Sequence, residues 1–294
     1  MLELKAGLSV LGLMPDIGGS VGFWVREGKD VLHPVVDPNL AAQNGQAVAA
    51  YPLIPFSNRV AYGRFEFGGE QFQLDENFGG EPHAIHGNAW ERAWDVVSQG
   101  PAQATLSLDH APPRDPVGQW PFCYHAEIDY GLRDDGLTVT IRVRNTDHRA
   151  QPVGLGFHPF YPRGNDLELG FSAESVWKAG PDSLPAERLA VEGDWSFAPM
   201  RAVDDTALDN CYSGWSGSVF LRWPVRGLSL TVRAAAPFDH LVVYTPPGRP
   251  YIAAEPTSNM TDAINRPDIP DRGLTILQPG EVLTGVTEFS LAKL

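Results

Sequence analysis

Two side chains in this sequence have the chemistry for proton transfer, and they lie far apart along the chain. The first is His158, in the heptapeptide GLGFHPF at 154–160. Proline at 159 disfavours helical backbone for the residue before it, so His158 is expected to be extended, with Pro162 stiffening the far side. Gly154 and Gly156 let the chain pass close to a neighbouring strand or a ligand. An unperturbed imidazole titrates near ~6.5, so one held on a rigid turn can hold or release a proton at neutral pH; the plainer alternative is a buried histidine at a strand end. The second is Glu255, delivered at the end of the apolar run 251–254 and directly before Pro256. Among Ala253, Ala254 and Pro256 its carboxyl is partly desolvated, which raises its pKa and makes it a competent base, unless it is a salt-bridged glutamate at a strand end.

Other polar groups could hold a ligand. In YPLIPFSNRVAYGRFEF (51–67), Asn58 and Arg59 sit at a strand entrance, and Arg59 offers fixed donors to hydroxyls or a carboxylate; a surface arginine beside an Asn-capped turn fits equally well. In EPHAIHGNAWERAW (81–94), His83 and His86 would point to opposite faces of a strand and lack the third ligand of a helical metal motif, so no metal is expected. His86 better fits a polar group beside an aromatic wall of Trp90 and Trp94, with Trp90 either stacking on a ligand or belonging to the core. In DNCYSGW (209–215), a carboxylate at Asp209, an amide and an indole form an inventory that can hold a sugar, with an Asx-turn as the alternative. GGSVG at 18–22 matches a nucleophile elbow but continues as a strand where that motif needs a helix, and the G-x-G at 154–156 lacks its third glycine.

The elements that must position these groups read as strands. The 30 glycines and 26 prolines are spread along the chain, separated by short alternating runs. The clearest run covers 124–145, where Tyr124, Ala126, Ile128, Tyr130 and Leu132 share a face, a turn follows at Asp134–Gly136, and Leu137, Val139, Ile141 and Val143 share a face again. Leu228, Leu230, Val232 and Ala234 alternate likewise, as do Val21, Phe23 and Val25 on a smaller scale. Helical stretches are short, at 39–43 and 261–264. The expected fold is all-β, a large antiparallel β-sandwich formed as a single domain over residues 1–294, with its chemistry in loops at one edge.

The balance of 22 basic against 36 acidic residues, a net charge of −14, argues against nucleic acid or an anionic membrane as partner and favours a neutral or small ligand. Two cysteines, Cys123 and Cys211, make neither a disulfide scaffold nor a zinc set. The first residues hold no signal peptide or membrane span, so a cytoplasmic location is expected, with monomer and homodimer both open.

Five segments in order, SNRVAYGRF, HAIHGNAW, GFHPF, DNCYSGW and AAEPTSNMTDAIN, spread from residue 57 to residue 265, resemble the aldose 1-epimerase (galactose mutarotase) family. The resemblance implies a β-sandwich that interconverts the α and β anomers of a free monosaccharide without cofactor or metal. It implies Glu255 as the general base on the anomeric hydroxyl and His158 as the general acid on the ring oxygen. It also implies His86 and Arg59 as substrate-binding residues with Asn58 as their neighbour, and Asp209 as a carboxylate that holds sugar hydroxyls. Two departures bear on the substrate: Val242 stands where galactose-specific members often carry glutamine, and HAIHG replaces their LHGG form. Alternatives on the same fold are a catalytically silent sugar-binding protein, and a mutarotase of an anionic sugar held by Arg59, Arg92, Arg163 or Arg201.

Overall fold

The computed structural model describes residues 1–112, 118–203 and 206–294. Nearly all regular structure is antiparallel strand, in one eleven-stranded and one nine-stranded sheet with three two-stranded pairs beside them. Among the described residues the helices are single 3₁₀ turns, including Ala41–Gln43 and Ala263–Asn265 close to the two predicted positions. No helix among them is long and apolar enough to cross a membrane.

The nine-stranded sheet follows the alternation of the sequence closely. Tyr124–Arg133 pairs with Gly136–Asn145 across the turn at Asp134 and Asp135, in an unbroken register from Tyr124 against Asn145 to Arg133 against Gly136. The predicted inward residues of both strands are buried, and the residues between them are mostly half-buried or exposed. Leu230, Val232 and Ala234 are buried in the same way. These side chains join Leu11, Trp24, Phe157, Tyr161, Ile252 and Ala254 of the larger sheet in one apolar core between the sheets.

The expected alternation of Val21, Phe23 and Val25 fails. A β-bulge shifts the register where Gly12 and Leu13 face Phe23 and Val21, so Val21 and Trp24 turn inward while Phe23 is left half-buried. An extra residue on one strand reverses the side-chain alternation beyond it.

In the eleven-stranded sheet the central order is Ala50–Leu53, Gly156–Pro162, Tyr251–Thr257, His240–Tyr244, Asp209–Ser213. These strands are buried on both faces. One face packs on the sandwich core, and the other lies under the long connections that hold Val35, Leu40 and Trp90.

Candidate active site

Glu255 and His158 meet through strand register. The strands Gly156–Pro162 and Tyr251–Thr257 pair with Gly156 opposite Thr257 and Phe160 opposite Ala253, which sets His158 opposite Glu255 on the face away from the core. Ser258 N–H donates to the Leu155 carbonyl, so the alternate positions, His158 and Glu255 among them, form non-hydrogen-bonded pairs, whose side chains approach most closely. The measured separation is 3.2 Å from His158 Nε2 to Glu255 Oε1. Prolines 159 and 256 lack the amide hydrogens that would cross this strand pair on either side, and the ladder skips from Gly156 to Phe160. The expected extended backbone at His158 is present. Gly154 and Gly156 serve neighbouring chain, since a Cβ at either would press on Asn259 or on Leu53.

Both residues are almost wholly buried, at 6% and 2% exposure. Burial pushes the His158 imidazole well below its ordinary range. Burial also pushes the Glu255 carboxyl well above its own, helped by the Asp209 charge and opposed by Arg59. The uncharged forms, imidazole and carboxylic acid, are therefore favoured in the resting site. His158 Nδ1 and Glu255 Oε2 are buried without a protein hydrogen-bond partner.

Tyr51 stacks on His158, centroids 4.8 Å apart, and Phe160 packs at 4.5 Å. His86 meets the His158 ring edge-on at 5.4 Å. The His86 backbone is left-handed, φ 61°, as is Asn58 at φ 58°. The two lock each other: His86 N–H donates to the Asn58 carbonyl at 2.9 Å, and Asn58 N–H donates to His86 Nδ1 at 3.1 Å. That second bond fixes the tautomer, leaving the proton on Nε2 as a donor. Burial keeps this ring neutral, and the nearby His158 and Arg59 lower its pKa further.

Arg59 is engaged on three sides. Its Nε and Nη2 donate to the two Glu81 oxygens at 3.1 and 2.9 Å, Nη2 also to Asp209 at 3.2 Å, and Nη1 to the Asn58 side chain at 3.3 Å. Burial works to raise the Glu81 pKa, but the bonds and charge of Arg59 outweigh it and leave Glu81 below the usual carboxylate range. The 57–61 loop is itself tied to the chain after Glu255. Asn259 Oδ1 accepts from Ser57 N–H and its Nδ2 donates to the Ser57 carbonyl, while Asp262 Oδ1 accepts from Ala61 N–H.

These residues enclose a cavity of about 240 Å³. That is smaller than the ~300–1,000 Å³ typical of drug-sized ligands and suits one monosaccharide ring. His158, Glu255, His86, Arg59, Asn58 and Asp209 all line it. Trp90 does not: its ring lies behind Tyr51 at 5.6 Å and its Nε1 donates to the Gly87 carbonyl at 3.1 Å, so it is core. The aromatic surface comes instead from Tyr51, Phe78, Phe160, Tyr244 and Tyr251. Of DNCYSGW only Asp209 reaches the cavity, because Tyr212 and Trp215 face the sandwich core. His83 is engaged separately, with Tyr62 N–H and the Asp182 carbonyl.

The basic cluster expected for an anionic sugar does not assemble. Arg92 meets His110, Arg163 donates to the Pro246, Val203 and Thr206 carbonyls, and Arg201 donates to the Ser196 and Asp194 carbonyls. A larger depression of about 780 Å³ beside Arg163 and Arg249 has no histidine or acidic residue among its described lining residues. The candidate residues His158, Asp209 and Glu255 lie on central strands, with loops adding only part of the wall, where a loop-borne edge site was expected. Sequence reasoning missed Tyr51, Glu81 and Asp37; the YPLIP segment two strands from Glu255 carried no signal for Tyr51 beyond its aromatic type.

The family model for aldose 1-epimerase matches residues 1–290, and the chain belongs to that family. It is 28% identical over 287 residues to YphB, an uncharacterised protein of Escherichia coli K12, covering 94% of this chain and 93% of the relative. A crystal structure from Escherichia coli K12, provisionally described as an aldose 1-epimerase, superposes with TM-score 0.88 at 25% identity, covering 99% of this chain and 98% of the other. A galactose mutarotase-like protein from Clostridium acetobutylicum superposes at 0.86 and 19% identity, covering 99% and 95%, and shares the fold.

Proposed function

We propose that the protein is a mutarotase acting on a free aldose. The observation that supports this reading best is the His158–Glu255 pair, which lines a monosaccharide-sized cavity and keeps one buried, unpartnered polar atom on each residue. Glu255 takes the proton from the anomeric hydroxyl while His158 gives one to the ring oxygen. The bond from C1 to the ring oxygen breaks and C1 becomes the aldehyde carbon; rotation about C1–C2 and the reverse transfers return the other anomer.

After ring opening Glu255 is protonated and His158 neutral, which is the protonation state that burial favours. Because burial favours the same uncharged state at rest, the charged pair forms first, by passage of the Glu255 proton to His158 across their 3.2 Å contact. His86 Nε2–H, Arg59 and Asp209 supply donors and acceptors for the remaining hydroxyls. Each positioned acid or base contributes ~10²- to 10⁴-fold.

Anomer exchange followed by NMR or polarimetry on several free sugars tests the proposal. Exchange above the buffer rate, lost in Glu255→Gln and in His158→Asn, is expected. Full rate in either variant excludes the roles assigned, and binding without exchange marks a sugar-binding protein instead.

A further inference from the structure

The charge on the cavity wall bears on which sugars can enter. Arg59 is the one cationic side chain among the described lining residues, and it faces three carboxylates there besides Glu255: Glu81, Asp209 and Asp37. Its guanidinium is held by Glu81 through two donors and by Asp209 through a third, so no free fork remains to clamp an anionic group. Asp37 stands apart from that cluster. It lies near Tyr244 and Tyr251, on both of which its charge acts. One of its oxygens accepts from Asn39 N–H at 2.9 Å, and among the described residues no cation pairs with it. Arg249 also acts on Tyr244 and Tyr251 but is not part of the cavity wall. His158 and Glu255 line the same cavity, and each has one buried polar atom without a protein partner.

Resting on the mutarotase reading of this site, we propose that the cavity selects by charge. It takes protonated amino sugars in preference to neutral aldoses and excludes uronates and phosphorylated or sulfonated sugars, with Asp37 as the residue that sets the preference. An ammonium group adds an opposite charge to a wall in excess carboxylate, whereas a phosphate or sulfonate must displace Glu81 or Asp209 to reach Arg59.

The test compares glucose and galactose, each with its 2-amino analogue and its 6-phosphate, in mildly acidic buffer that keeps the amine protonated. Ligand-observed NMR gives binding, and anomer exchange gives kcat/KM. The amino sugar of the preferred series is expected to exceed its neutral parent about fivefold. The 6-phosphate is expected to fall about tenfold or more below that parent. Both differences should shrink with added salt. Asp37→Asn should bring amino and neutral sugars together.

A 6-phosphate handled as well as its parent, amino sugars no better than neutral ones in both series, or preferences that ignore salt would overturn the proposal. If binding follows the charge order with no exchange for any sugar, charge selection stands and the mutarotase reading falls. If no sugar binds or exchanges, both fall.

Discussion

The strands Gly156–Pro162 and Tyr251–Thr257 present two faces with opposite demands. Phe157, Tyr161, Ile252 and Ala254 turn to the sandwich core, while His158, Phe160 and Glu255 turn to the cavity on the opposite face. Both faces are buried, and what differs is how burial acts. On the core face removal from water is the driving force itself. On the cavity face it disfavours the charged forms of two titratable groups and makes their proton easy to pass. The same sheet therefore stabilises the fold on one side and shifts the titration of two facing side chains on the other.

Substitutions on the two faces of this strand pair should separate the two roles. Glu255→Gln keeps the shape and removes the base, so exchange should fall by ~10²- to 10⁴-fold with the melting temperature retained or raised. Loss of the folded state in this variant would show that the cavity face also holds the fold together. Phe157→Ala, on the other side of the neighbouring strand, should cost about 3–5 kcal/mol in urea unfolding while kcat per folded molecule stays within a few-fold. A collapse of kcat in the folded fraction would join the faces.

Acid and base should then divide the cavity pair by sign. His158 has its folded pKa lowered, so the unfolded chain takes up the extra proton below ~6.5 and stability falls as the medium turns acid. Glu255 has its folded pKa raised, so the native state holds the extra proton above ~4.3 and stability falls as pH climbs towards that raised value. Between ~4.3 and ~6.5 the two slopes cancel. Unfolding curves across pH should show that plateau, and Glu255→Gln should lose the decline on its alkaline side; an unchanged alkaline limb would mean that the carboxyl is not held protonated. The smallest effect is expected for Asn58→Gly, which keeps the left-handed backbone and removes the amide that supports Arg59. A rise of severalfold in KM with kcat nearly constant should follow.

How much was legible before the structure follows from the same contrast. The hairpin Tyr124–Arg133 with Gly136–Asn145 has one wetter face, so its alternation could be read directly. The strand Tyr251–Thr257 is buried at every position, and a strand dry on both sides shows no alternation to say which way Glu255 points. Motif order supplied the identities of His158, Glu255, His86, Arg59 and Asp209, while their meeting depended on register between segments 97 residues apart (255 − 158). Trp90 stayed open between ligand and core because an indole near a histidine reads the same whether it lies against ligand or one layer behind. Glu81 and Asp37 had no motif at all, since a carboxylate that completes an arginine pair or stands alone on a wall has no local pattern.

The two prolines that flank the paired residues carry a cost for the sheet. The middle of a broad antiparallel sheet is ordinarily its most protected part, yet here two ladder donors are missing beside His158 and Glu255. At about 0.5–1.5 kcal/mol for each backbone bond forgone, the fold gives up stability at its centre where His158 and Glu255 face each other. Amide protection across these strands should then dip in the middle and recover towards Phe160 and Ser258, a seam running through the site.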